Sequence, residues 1–462
     1  MKKGTGNTCE QPVWLDISRL LYRILRRRIT GIDRVEIAYA STLLETVPSR
    51  LKFVAYDYWR GTFRMLHQKR AEHIVTSIGP QWAAGDIGAL RFAALRGMLE
   101  TIFSAPPLPY YRGGARPIYI NVSMHPLHLV SHIGGMVDRT GALFLPLLHD
   151  MIPIEYPEYV PKSWTGHHRE RLKTIDKLAD GVISNSAFTT QGLSEHIQRV
   201  PVLTMPLGVH QLNPSPVPVH KLPYFLVVGT IEPRKNHLLL LHVWRRLVQQ
   251  YGSVAPQLVV AGHRGWDNEQ IVDILERCRD LRGYVHELGM VSDGDLARLM
   301  ADATALLMPS FVEGYGLPVV EALSLGTPVI CSDISAHRQI GAGIPDFIDP
   351  LDGAAWAKLI MHYATDPEAA RERQMARRGS WEKPSWQRHV ASVLEFAEGL
   401  TPRRDVSEMP HRLVLLMRSI RHSPAASPVF EVASRLSHRV DSPSEGVEPT
   451  RAATRAVAYS GD

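Results

Sequence analysis

One repeated alternation limits how this chain can fold more than any other feature. Short, continuously apolar runs, each closed by Gly, Asp, Ser or Pro, are followed by stretches with helical periodicity. In the first half the runs are VWLDIS (13–18), KFVAY (52–56), PIYINV (117–122), LFLPLLHD (143–150), GVISNS (181–186) and PVLTMPLG (201–208). In the second half they are YFLVVGT (224–230), QLVVAG (257–262), YVHELG (284–289), TALLMPS (304–310) and PVICSD (328–333). A strand apolar on both faces must be covered on both faces, which is the condition of a parallel sheet wrapped by helices. Between the two groups, HQLNPSPVPVHKLP (210–223) is Pro-rich and without periodicity, so it reads as a linker. The expectation is α/β: two Rossmann-like, doubly wound domains over 1–215 and 216–379. In such sheets the ligand sits at the carboxyl ends of the strands, here facing a cleft between the domains.

At 462 residues the chain suits two domains with appendages. Its hydrophobic share of 45% and charged share of 21% are those of a soluble globular protein, and no run of apolar residues is long enough to span a bilayer. The net charge of +6 is compatible with nucleic acid, anionic lipid or phosphorylated ligands and selects none of them. Cys9, Cys278 and Cys331 are too few and too scattered for a zinc or disulfide framework, which points to a reducing cytoplasm. The start, MKKGTGNTCEQPVW, has no apolar core and does not read as a signal peptide. Residues 399–462 turn Ser-, Pro- and Arg-rich and read as a largely disordered tail, with one basic amphipathic stretch at 410–422. Near the other end, Leu20, Leu21, Ile24 and Leu25 share a helical face opposite Arg19, Arg23, Arg26, Arg27 and Arg28. That pattern has two readings: a patch for an anionic membrane surface, or a solvated helix with its Leu face in the core.

The chemistry gathers in PSFVEGYGLPVVEALSLGTPV (309–329). A buried strand precedes it, Pro318 suits the first turn of a helix, and Gly326 suits its end. Between strand and helix, Gly314 and Gly316 bring bare backbone to the sheet edge. The N–H groups of Gly316 and Leu317 sit there at a positive helix terminus, a cradle for a phosphate or diphosphate. Glu321 lies about 5–6 Å further along the helix. There it either takes the hydroxyls of a ribose or merely decorates a first turn, where acids are favoured. Glu313, before the cradle, faces the other side of the diphosphate, where a sugar would be. Arg234 and Lys235 lie just beyond the strand at 224–229 of the same sheet, close enough to reach that anion as a fork and a point charge.

These residues carry a resemblance. The chain resembles the retaining family 4 glycosyltransferases of the GT-B fold, near the branch of bacterial O-antigen and exopolysaccharide mannosyltransferases. The motifs are TGIDR (30–34), HD (149–150), SNS (184–186), PLGV (206–209), VGTIEPRKN (228–236), VVAGHRGW (259–266), LGMVSDGDLARLMADA (288–303) and PSFVEGYGLPVVEALSLGTPVICSD (309–333). SWEKPSWQRHVASVLEFA (380–397) resembles the closing helix, which in that family crosses back onto the first domain, here over 380–398. The likeness implies that Glu313 serves the transferred hexose, Glu321 the ribose, and Lys235 with Arg234 the diphosphate. In many members an arginine stands where this chain has Thr230. Gly31 matches the glycine loop over the donor and His149 the histidine beside the sugar. The implied activity moves a hexose, most simply mannose from GDP-mannose, to a saccharide acceptor that is lipid-linked, in bacterial surface polysaccharide synthesis. Such an enzyme needs no cofactor and no metal. The implied place is the cytoplasm, at the inner face of the membrane where the arginine patch is used. Departures are ISAHRQIGAG (334–343), where a Pro-Glu-Val run is usual, and His210, where Asp is frequent.

Other patterns read as decoys. Asp293-Gly294-Asp295 has the form of a metal-binding pair, but Ser292 with Asp295 reads as a helix capping box. His167-His168 has no third ligand at metal spacing and reads as surface, and Gly262-His263-Arg264-Gly265 is too short for a dinucleotide fingerprint. Two rivals remain: a nucleotide-sugar epimerase of the same build, and a nucleic-acid binder, whose basic residues here lack interleaved aromatics.

Overall fold

A computed structural model describes residues 10–24, 30–83, 104–210, 212–220, 223–379 and 381–404, with isolated positions between 92 and 99. The strands fall into two sheets. The first runs β3-β2-β1-β4-β5-β6-β7, with β1 Val13–Asp16, β2 Leu51–Asp57, β3 Thr62–Met65, β4 Ile118–Asn121, β5 Leu143–Leu148, β6 Val182–Ser184 and β7 Val202–Thr204. The second runs β10-β9-β8-β11-β12-β13, with β8 Tyr224–Val228, β9 Gln257–Ala261, β10 Val285–Gly289, β11 Ala305–Met308, β12 Val329–Ser332 and β13 Asp346–Ile348. The central strands β1, β4, β5, β8, β11 and β12 are buried along their whole length, which is why they read as unbroken apolar runs rather than alternations.

Two departures from the sequence reading appear here. The first sheet is not purely parallel: β3 joins β2 antiparallel, Val54 facing Met65 and Asp57 facing Thr62. Neither β3 nor β13 has a long apolar run, because an edge strand has only one neighbour to satisfy.

The order of each sheet reverses once, between β1 and β4 and between β8 and β11. Chains leaving those neighbours diverge to opposite faces, and the gap between them is the natural ligand site. The helix Trp386–Glu398 packs on the helix Gly31–Thr46. There Tyr39 bonds the His389 ring through its hydroxyl, His389 Nδ1 meets the Pro206 carbonyl at 2.8 Å, and Val209 N–H donates to Pro384 O at 2.9 Å.

The arginine-rich stretch takes the inward reading where it is described. Leu20 and Leu21 are buried, and Arg19 Nε donates to buried Asp33 at 2.8 Å and Arg19 Nη2 to Thr30 at 3.1 Å. Arg23 also turns toward Asp33, at 3.8 Å. These two arginines brace the Thr30–Asp33 capping box of the helix that begins at Gly31. Leu25, Arg26, Arg27 and Arg28 lie outside the described residues, as do 405–462 with the 410–422 stretch. No helix among the described residues is long and apolar enough to cross a membrane.

Candidate active site

The site forms where the second sheet reverses. After β8 the chain makes a short turn, Pro233–Lys235, stopped by Asn236 in the left-handed region at φ 55°. Asparagine tolerates that conformation, and its amide pins the turn to the segments that follow β11 and β13, donating to Pro309 O at 3.1 Å and Pro350 O at 2.9 Å. This aims Arg234 and Lys235 at the loop that follows β11. That loop holds Glu313, whose Oε2 takes Arg234 Nη1 at 2.6 Å and whose Oε1 takes Lys235 Nζ at 2.5 Å and Ser310 Oγ at 2.7 Å. Arg234 is braced further by Val312 O at 3.0 Å and by the carboxylate of buried Glu232 at 2.6 Å.

Glu313 is 6% exposed. Burial alone would push its carboxyl up, but the Arg234 and Lys235 charges overcome that and hold it well below the usual carboxylate range. It is an anion at any working pH.

Two glycines then let the loop pass. Gly314 runs against the first domain so closely that a Cβ there would lie 2.5 Å from His149 O and 2.7 Å from Asp150 Cβ. Its carbonyl accepts Ser186 Oγ at 2.7 Å. Gly316 has φ 99°, a conformation that favours glycine, and starts the helix Leu317–Ser324. Among the described residues no acceptor takes the N–H of Gly316 or Leu317. Opposite this terminus lies Gly31, whose added Cβ would touch Leu317 at 3.7 Å.

His149 follows β5 and is buried. Its Nε2 lies 2.7 Å from Val122 O, so that nitrogen carries the proton and Nδ1 is the acceptor, unpaired among the described residues. Burial pulls its pKa down to about 4, leaving a neutral ring.

Glu321 occupies a different environment. It is 5% exposed, accepts no hydrogen bond from a described side chain, and burial raises its pKa. Arg34 is the cation that most offsets that rise, but its guanidinium pairs with Asp293.

The structure therefore brings together Glu313, Arg234, Lys235, Gly314 and His149, with Gly316, Leu317 and Gly31 beside them. Thr230 stands apart: its methyl group packs toward Gly265, and it bonds no charged residue of the cluster. Asp293 and Asp295 are engaged elsewhere. Asp295 takes Ser215 at 2.8 Å and Ser292 at 2.7 Å, and its N–H caps back onto Ser292 Oγ at 3.1 Å. No group of metal-ligating residues occurs among the described residues. Of the histidine pair, His167 is exposed but His168 is fully buried, against the surface reading, because it falls on the inward face of the helix Lys162–Leu178.

The sequence reading missed Glu232, Ser310, Asp150 and His337. Glu232 had a visible signal, a carboxylate two positions before Arg234. His337 had none, since its element is far from Glu313 along the chain.

Comparison with known proteins fits this geometry. The family Glycosyl transferases group 1 matches residues 212–379. O-antigen chain mannosyltransferase B of Escherichia coli is 30% identical over 259 residues, covering 51% of this chain and 66% of that one. Serotype-specific mannosyltransferase WbdA of Escherichia coli is 27% identical over 237 residues, 46% of this chain and 28% of that one. The chain thus spans less than two thirds of either relative. WaaG, a glycosyltransferase involved in lipopolysaccharide biosynthesis, shares the fold at a TM-score of 0.53 and 14% identity, over 82% of this chain and 99% of that one. The architecture is GT-B.

Proposed function

We propose that this chain, whose residues 212–379 form a glycosyl transferases group 1 domain, is a retaining glycosyltransferase of family 4. In this reading it moves a hexose, mannose from GDP-mannose first among candidates, to a saccharide acceptor in surface polysaccharide synthesis. The acceptor is lipid-linked, the first domain (1–215) holds it, and the second (216–379) holds the donor. The mannosyltransferases named above support the sugar and the pathway class.

One observation carries the proposal: buried Glu313 shares Arg234 and Lys235 beside the Gly316 helix terminus. Both cations are already oriented by Glu313, Glu232 and Val312 O, so a diphosphate that takes them loses little side-chain entropy. The cations and the helix N-terminus then stabilise the charge that develops on the departing diphosphate, the place where preorganised electrostatics count most. Glu313 and the free Nδ1 of His149 face the sugar as acceptors and fix its hydroxyls. Glu321, unpaired and further along the helix, takes the ribose hydroxyls. The leaving diphosphate and the incoming hydroxyl share one face of the sugar, so no enzyme nucleophile is needed for retention.

The test incubates the protein with GDP-mannose, UDP-glucose and UDP-N-acetylglucosamine, with and without a saccharide acceptor. Acceptor-dependent product with the donor's anomeric configuration is expected. Conversion of the nucleotide sugar without an acceptor would make it an epimerase, and an inverted product would remove the retaining mechanism.

A further inference from the structure

His337 is the buried titratable group nearest the cradle that the proposed mechanism leaves unused. It lies on the helix Ser335–Gly341 after β12 and is fully buried. Its Nδ1 is 3.0 Å from Ser332 O, so Nδ1 carries a proton and donates it to that carbonyl. The other nitrogen, Nε2, is buried and has no partner among the described residues. Its ring packs against the left-handed turn that opens the cradle helix, where a Cβ on Gly316 would lie 3.3 Å from Cδ2 and 3.6 Å from Nε2. A buried ring nitrogen without a partner is costly. Here it borders the one helix terminus that the donor reading assigns to a diphosphate.

We propose that His337 is a positioning residue of the diphosphate site, taking up a proton at Nε2 as a nucleoside diphosphate binds behind Gly316. The inference rests on the donor-site reading above and adds a charge to it.

The surroundings set the balance. Burial lowers the affinity of this ring for a proton, Glu313 raises it, and Lys235 and Arg234 lower it. Asp333 and Arg338, which flank the histidine on its own segment, are paired with each other. Burial does most to keep His337 neutral, and the two cations that would meet a diphosphate add to it. A bound diphosphate neutralises them and adds negative charge on the Gly316 side. An opposite charge within about 4–6 Å moves a titration by about 1–3 pH units. The proton then goes to Nε2, because Nδ1 already holds one, and the ring becomes a donor on both sides. By linkage, a group that binds its proton more tightly in the complex strengthens binding as pH falls. Nucleotide affinity should rise, at most about tenfold per pH unit, as pH drops through the window between the free and bound titrations.

The experiment is calorimetric titration of the full chain with GDP and with UDP, in two buffers of different ionisation enthalpy, from pH 5.5 to about 8. The wild type should take up a substantial fraction of one proton within that range, and its affinity should rise toward lower pH. His337→Asn keeps a donor for Ser332 O but cannot titrate. It should still bind nucleotide but lose the uptake seen in the wild type, leaving only the pH dependence of the nucleotide's own terminal phosphate, which titrates at about 6. His337→Gln, which offers its amide nearer the Nε2 position, should also lose the uptake. Binding without proton uptake in the wild type would overturn the inference and leave the donor site standing. So would equal uptake in His337→Asn, which would move the proton to another group. Failure of every nucleoside diphosphate to bind would sink both readings together.

Discussion

Glu313 and Glu321 stand eight positions apart on one segment, at 6% and 5% exposure, and behave oppositely. The first lies in a loop where Arg234, Lys235 and Ser310 converge, so its charge is locked on. The second lies inside a helix with no hydrogen-bond partner of its own among the described residues, so its charge is a cost. Burial is nearly the same in both, so it does not decide protonation; the partners do. The difference teaches that one carboxylate is already built into the protein, while the other waits for something with hydroxyl donors.

The largest expected effect breaks the first half of that contrast. Glu313→Gln should cut turnover by about 10²–10³, the loss typical when one preorganised electrostatic partner of a transition state is removed. Nucleoside diphosphate should still bind, and steady-state kinetics beside calorimetry separates the two. Normal turnover would show that the ionised carboxylate is only a structural counter-ion.

A smaller effect sharpens the second half. Glu321→Ala should weaken GDP by about tenfold, the worth of one good hydrogen-bonding group. It should barely change affinity for a 2′,3′-dideoxy analogue. Equal losses for both ligands would remove the ribose assignment.

The smallest effects are in stability, and their signs differ. The folded pKa of Glu313 is depressed, so its contribution is present above the ordinary carboxylate pKa and lost only as pH falls well below it. Glu313→Gln should lower Tm at pH 7, with a deficit that persists into mild acid. The folded pKa of Glu321 is raised, so its charge costs stability at neutral pH, and that cost fades as pH falls through the raised value. Glu321→Gln should raise Tm at pH 7 and lose that advantage first. Each kcal/mol corresponds to about 2–4 °C for domains of this size. Shifts of the same sign in both variants would erase the contrast.

Much of this was legible in the residues. The two sheets were, because a strand covered on both faces must be apolar along its whole length, as TALLMPS and YFLVVGT are. Gly314, Gly316, Glu313, Arg234 and Lys235 were legible because strand ends of one parallel sheet converge on one edge. The antiparallel β3 was not, since a short edge strand needs no apolar signature. The ion pair of Arg19 was not legible because its partner Asp33 lies 14 residues on, in another helix. Spacing within one element says nothing of a charge waiting on the next. His337 was not read for the same reason, since its helix meets the helix that Gly316 opens only in the folded packing.

The central claim is that the Gly316 terminus with Arg234 and Lys235 holds a nucleotide diphosphate. Lys235→Ala tests it most directly, by calorimetric titration of GDP and UDP against variant and wild type. The account predicts saturable one-to-one binding of at least one nucleotide to the wild type. It predicts that the variant loses about 1.5–3 kcal/mol of that affinity, the worth of one charge-assisted contact. Undiminished binding to Lys235→Ala, or no binding of either nucleotide to the wild type, would contradict it.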